Sequence, residues 1–88
     1  MISASEMKPI IPYCVIKDSS DGTFVKGNII WRSENGDINS VTGNGFLPFL
    51  EQDEASNDFE CVDAPDWRVT KVNNGYSIYE ICEKVNDS

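Results

Sequence analysis

Turn-forming residues recur so closely along this chain that no amphipathic helix of three turns fits its apolar pattern. Asp18-Ser19-Ser20-Asp21-Gly22, Ser33-Glu34-Asn35-Gly36-Asp37, Gly43-Asn44-Gly45, Ala64-Pro65-Asp66 and Asn73-Asn74-Gly75 punctuate it. Asx side chains and glycines at these places favour tight turns, because they satisfy the local backbone and admit positive φ. The segments between them alternate as short strands do. The chain therefore reads as all-β, or mainly β with at most one short helical turn: a small antiparallel barrel or rolled sheet of five to six strands.

Residues 9–17 read as a strand carried by Ile10, Ile11, Tyr13, Val15 and Ile16. Pro9 and Pro12 push it to an edge or confine its pairing to the later half. Thr23 to Arg32 reads as a second strand, interrupted at Lys26-Gly27-Asn28, with Gly27 suited to a bulge or bend. A four-residue loop at Ser33–Gly36 would set Arg32 opposite Asp37 and Trp31 opposite Ile38. Strand three then runs from Asp37 to Thr42. Phe46-Leu47-Pro48-Phe49-Leu50 reads as an irregular plug under the sheet, and Asp58 to Val62 as a strand with Phe59 and Cys61 on one face.

The last unit is the most regular. Trp67–Val72 and Tyr76–Ile81 flank Asn73-Asn74-Gly75, and a three-residue loop with Gly75 left-handed opposes Arg68 to Glu80, Val69 to Tyr79 and Trp67 to Ile81. One face then holds Trp67, Val69, Tyr79 and Ile81, so the expected core is Ile29, Trp31, Val69, Tyr79 and Ile81.

With 88 residues the chain holds one domain, 1–88, with 1–8 and 84–88 expected to fray. A domain of this size buries only about 60–65% of its unfolded surface, leaving a thin core and little room for a deep pocket. Its three cysteines, Cys14, Cys61 and Cys82, are an odd number and widely spaced, which argues against a secreted disulfide framework and a zinc pair. The start has no basic region followed by an apolar core, and no apolar run approaches a membrane span. A cytoplasmic protein with reduced cysteines is the expectation.

The segment Gly22 to Trp31 resembles the strand that follows the first loop in Src-homology-3-like barrels, where a glycine bends the strand. The run from Lys17 to Trp31, with Gly45-Phe46-Leu47-Pro48, also resembles short reading frames of bacterial viruses and prophages. The first likeness implies a small barrel and the second a virus-encoded protein. Neither implies any functional residue.

The chain contains no histidine. That removes the commonest general base, the Ser-His and Cys-His nucleophile pairs and most transition-metal sites. Asp18–Gly22 superficially looks like a calcium loop but lacks the alternating ligand spacing and the distal bidentate glutamate. Gly43-Asn44-Gly45 lacks the helix and lysine of a phosphate loop. No enzyme, no cofactor and no metal site is expected.

Fifteen acids against seven bases give a net charge of −8. Such a surface releases no counterions from nucleic-acid phosphates and is repelled by anionic membranes, so neither is an expected partner. The charge serves either solubility or the choice of a protein partner with a basic surface.

Seven of the acids, Glu51, Asp53, Glu54, Asp58, Glu60, Asp63 and Asp66, fall in sixteen residues without a Lys or Arg. Phe49, Phe59 and Trp67 are interleaved or adjacent. One reading is a solvated loop with core aromatics. The functional reading takes the seven acids and Phe49 as a docking surface for a basic protein. The chain is then a non-catalytic acidic protein-binding module, an adaptor or inhibitor of a host or defence protein. Two alternatives stand beside it. One is an acidic nucleic-acid mimic that blocks a DNA- or RNA-binding enzyme. The other is a small-ligand barrel with Trp31, Tyr76 or Tyr79 lining a shallow cleft. Partner identity and oligomeric state carry no signal at this level.

Overall fold

The computed structural model describes residues 1–41, 45–48 and 58–85. Its elements are β1 (Ile2–Ser3), a 3-10 turn (Ala4–Glu6), β2 (Pro12–Lys17), β3 (Ile29–Arg32), β4 (Ile38–Ser40), β5 (Phe46–Leu47), β6 (Glu60–Asp63), β7 (Trp67–Asn73) and β8 (Ile78–Lys84). The first six strands form one antiparallel sheet in the order β1-β6-β2-β3-β4-β5, curled into a half-barrel. The last two form a separate ribbon. The protein is all-β, with one 3-10 turn among the described residues.

The concave face of the half-barrel holds the core. Tyr13, Val15, Ile30, Ile38, Leu47 and Cys61 come from its strands, and Ala4, Met7, Phe24 and Phe59 close it from the connecting segments. Phe24 and Phe59 pack ring to ring at 4.8 Å with a 45° tilt, the offset arrangement that aromatic quadrupoles favour. Residues 1–8 contribute to this structure: β1 pairs with β6, and Ala4 and Met7 are buried. Arg32 ties the 3-10 turn to β3 by donating from Nη2 to the carbonyl of Ala4.

Phe24 reaches the core from a loop, where a strand over Thr23–Arg32 was expected. Only Ile29–Arg32 pairs as a strand. The reason lies in local side-chain hydrogen bonds, which outcompete a ladder. Ser19 Oγ accepts from the N–H of Phe24 (3.0 Å), Asp18 Oδ1 from that of Lys26 (2.7 Å) and Asn28 Oδ1 from that of Val25 (3.0 Å). Gly27, at φ +98°, donates its N–H to Val15 (2.8 Å) at the turn before β3, so it bends a loop and not a strand.

Other expectations shift for equally local reasons. β2 lies inside the sheet, between β6 and β3, and not at an edge. Pro12 is its first residue, where a missing N–H breaks no interior bond, and Pro9 makes only an isolated bridge to Arg32, so the strand takes Pro12–Lys17 of residues 9–17. The β3–β4 turn has three residues, Glu34-Asn35-Gly36, because Gly36 takes φ +94° and Ser33 pairs with Asp37. Arg32 therefore faces Ile38 and Trp31 faces Asn39, one residue from the expected register. Phe46 and Leu47 form β5 against β4, so the first half of the expected plug is a strand, whereas Phe49 and Leu50 lie outside the described residues.

The hairpin is the longest ladder among the described residues, but its register is three residues from the expected one. Val69 faces Cys82, Lys71 faces Glu80 and Val72 faces Tyr79. Gly75, at φ +93°, begins a two-residue turn over Gly75-Tyr76, closed where Asn74 donates its N–H to the carbonyl of Ser77 (3.2 Å). Asn74 Oδ1 also accepts from the backbone of Tyr76 and Ser77. An odd shift sends one strand's side chains to the other face. Trp67 and Val69 thus share a face with Cys82 and Glu80, while Tyr79 and Ile81 share the opposite face with Val72. Of the five expected core residues only Ile29 and Trp31 are buried; Val69 and Ile81 are half-buried and Tyr79 is 45% exposed.

Ile29 and Trp31 are buried on the convex face, opposite Ile30, because successive side chains alternate across a strand. The ribbon reaches that face. Trp31 donates its indole N–H to Glu80 Oε1 (3.3 Å), and Lys71 pairs with Glu34 at 2.6 Å. The molecule therefore has two layers, with the half-barrel core on one side of β3 and the ribbon on the other.

Candidate interaction surface

Four members of the acidic segment are described, and β6 separates them into two groups. Asp58 and Glu60 lie at its start, and Asp63 and Asp66 at its end. β6 sits between β1 and β2, so its backbone is paired on both sides and holds the acids in place. Cys61 points into the core, and Asp58, Asp63 and Asp66 are exposed. Glu51, Asp53, Glu54 and Phe49 lie outside the described residues.

The start of β6 gathers further carboxylates from a distant part of the sequence. Asp58 Oδ1 accepts from the N–H of Ser20 (3.1 Å), which joins it to the loop carrying the exposed Asp18 and Asp21. Sequence proximity does not show this association, since 38 residues separate the bonded pair. Lys17 lies opposite Glu60 in the ladder and brings one positive charge to the same corner.

The Asp18–Gly22 loop is organised by its own side chains. Asp21 Oδ1 accepts from the N–H of Thr23 (3.0 Å) and from Ser19 Oγ (2.8 Å). These bonds, the backbone one first, hold the Asp21 carboxyl below its usual range. Asp18 is committed to the N–H of Lys26. Both carboxylates thus shape a loop that seats Phe24, which is the structural reason a calcium-like run occurs here. Among the described residues no group of three or more Cys, Asp or Glu is placed to hold a metal ion.

The cysteines are free thiols. Burial, followed by the nearby Asp63 charge, pushes the Cys61 thiol up to about 11, and burial pushes that of Cys82 up to about 11. Such thiols are poor nucleophiles at neutral pH.

Trp31, Tyr76 and Tyr79, the alternatives for a residue lining a shallow cleft, lie apart from one another. Trp31 is buried beneath the ribbon. Tyr79 borders a shallow groove of about 460 Å³ between the ribbon and the β3–β4 turn, together with Glu34, Asn39, Lys71 and Ile78. Tyr76 stands fully exposed at the hairpin tip, in a different depression.

The ribbon's outward surface is not legible in the alternation of residues 67–81. Tyr79 and Ile81 are expected in the core, whereas the observed register turns them outward beside Val72, with Ile78 62% exposed near the tip. No helix among the described residues is long and apolar enough to cross a membrane. Comparison with protein-family models, with curated proteins and with solved structures finds no match to this chain.

Proposed function

We propose that this protein is a non-catalytic acidic protein-binding module, an adaptor or inhibitor acting inside the cell on a host or defence protein with a basic surface. The observation that carries this reading is the distribution of charge along the chain. Residues 51–66 hold seven acids and no base. Within that segment β6 ends on Asp63 and is flanked by Asp58 and Asp66, all three exposed, and Asp18 and Asp21 join it through the Ser20–Asp58 bond. Such a field steers a cationic partner and raises its association rate more than its residence time. The function needs no cofactor and involves neither direct nucleic-acid binding nor a membrane.

Affinity capture from the native host at two salt concentrations tests this reading. A specific partner with a basic surface should be retained at low salt and weakened at high salt, because the Debye length falls from about 10 Å at 0.1 M to about 3 Å at 1 M. Changing Glu51, Asp53 and Glu54 to Lys should slow association about tenfold while leaving the melting curve intact. Parental binding rates for that variant would place the interface elsewhere. Competition of the captured partner by DNA or RNA would convert the reading into that of a nucleic-acid mimic.

A further inference from the structure

The two sheets treat their edges differently. The outermost strands of the half-barrel, β1 and β5, are two residues each, a length too short to template another strand. The ribbon instead ends on two seven-residue strands. β7 packs on β2, and no other strand packs on β8 to that extent. Among the described residues nothing pairs with the outer edge of β8.

The hydrogen-bond phase of the ribbon shows which groups that edge offers. Val85 donates its N–H to Asp66 (2.6 Å), and Asn74 to Ser77 (3.2 Å). Exchanging pairs recur at every second residue of an antiparallel ladder, so Arg68/Glu83, Thr70/Ile81 and Val72/Tyr79 direct their backbone groups at each other. Ile78, Glu80, Cys82 and Lys84 therefore direct theirs outward along the open edge.

We infer that this edge pairs with β8 of a second copy of the chain, antiparallel about a two-fold axis at Ile81, joining two ribbons into one four-stranded sheet. Charge selects this occupant. β7 and β8 carry three bases and two acids, a net +1, so the remainder of the chain carries −9. Two copies meeting through their ribbons bring their least repulsive surfaces together and keep the acidic bodies apart. A basic partner finds little attraction at this edge.

The register follows from the strand itself. Centring on Ile81 is the one arrangement that pairs all of Ile78–Lys84 with itself. Ile78 then faces the partner's Lys84, Tyr79 the partner's Glu83, Glu80 the partner's Cys82, and Ile81 the partner's Ile81. No like charges are directly opposed, and Glu80 lies diagonal to the partner's Lys84 on one side and to the partner's Glu80 on the other. Centring on Glu80 would oppose two glutamates, which is destabilising. On the outward face, Val72, Tyr79 and Ile81 of both copies merge into one apolar row.

Sedimentation of the full chain over a concentration series, at low and high salt, tests the inference. The expected result is a dimer that tightens as salt screens the acidic bodies, opposite in sign to the binding of a basic partner. Failure of this proposal is thereby distinguishable from failure of the docking function. Ile78→Lys opposes two pairs of like charges and should weaken the dimer about tenfold, whereas Ile78→Glu should strengthen it. Ile78 is 62% exposed, so both variants should melt as the parent does when monomeric. A chain that stays monomeric at millimolar concentration, or a dimer that both substitutions alter alike, would overturn the inference.

Discussion

Trp31 and Glu80 are 49 residues apart, and the indole N–H of one meets the carboxylate of the other at 3.3 Å. This bond joins the half-barrel to the ribbon across the convex face of β3. A donor that is buried with its ring loses water on folding, so its partner matters more than an exposed contact would. Trp31→Phe keeps most of the apolar area and removes the bond; a cost of about 1–2 kcal/mol is expected. A double-mutant cycle with Glu80→Gln, read by urea unfolding, should show coupling of about 0.5–1.5 kcal/mol. Additive effects would mean that the ribbon is held by packing alone.

The core and the ribbon should respond differently to truncation. Phe24 and Phe59 are almost wholly buried and in contact, so either changed to Ala should cost about 3–5 kcal/mol, much of a small domain's stability. Ile81 is half-buried on the outward face, and Ile81→Ala should cost under about 1.5 kcal/mol in the monomer. Chemical melts at low protein concentration check the order. A larger loss at Ile81 than at Phe24 would contradict the two-layer arrangement.

Two glycines separate steric from conformational cost. A Cβ on Gly45 would lie 3.0 Å from the carbonyl oxygen of Thr23 and 3.1 Å from the ring of Phe24, which Phe59 backs. Gly45→Ala should therefore destabilise by about 1–3 kcal/mol through overpacking. At Gly22 a Cβ meets nothing within 4 Å, but φ is +78°, so Gly22→Ala should cost about 1 kcal/mol from the backbone alone. If Gly45→Ala melts with the parent, Phe24 is less firmly seated than its burial indicates.

Alkali should weaken the fold through its thiols. The folded chain keeps protons on Cys61 and Cys82 up to about 11, whereas the unfolded chain releases them from about pH 8.5. The native state thus binds more protons between those values, and stability must fall as pH rises through that window. Below it the two thiols contribute no pH dependence. Urea midpoints at pH 8, 9.5 and 10.5, as rough settings across that window, should decline, and Cys82→Ala should decline less steeply than the parent. An identical slope in Cys82→Ala and parent would show that Cys82 is no better shielded when folded than when unfolded.

Sequence alone determined the fold class, the turns within 18–22, 33–37 and 64–66 and the inward face of Phe59 and Cys61, whereas the expected break at Gly43-Asn44 lies outside the described residues. These depend on neighbours within a few residues: Asx side chains and glycines make turns, and alternation beside them makes strands. It also located the acid-only segment, since charge along a chain needs no coordinates. Register was decided by tertiary structure. In 67–84 both faces carry apolar residues, Trp67 and Val69 on one and Val72 and Ile81 on the other, so alternation could not say which face turns inward. The turn at Gly75-Tyr76 settled the pairing and exposed Tyr79. Phe24 was equally illegible, as one aromatic residue in a polar loop becomes core only when Ser19, Asp18 and Asn28 fold that loop over the half-barrel. The burial of Trp31 from both sides required two layers to meet, and no local pattern encodes the approach of residues 49 positions apart.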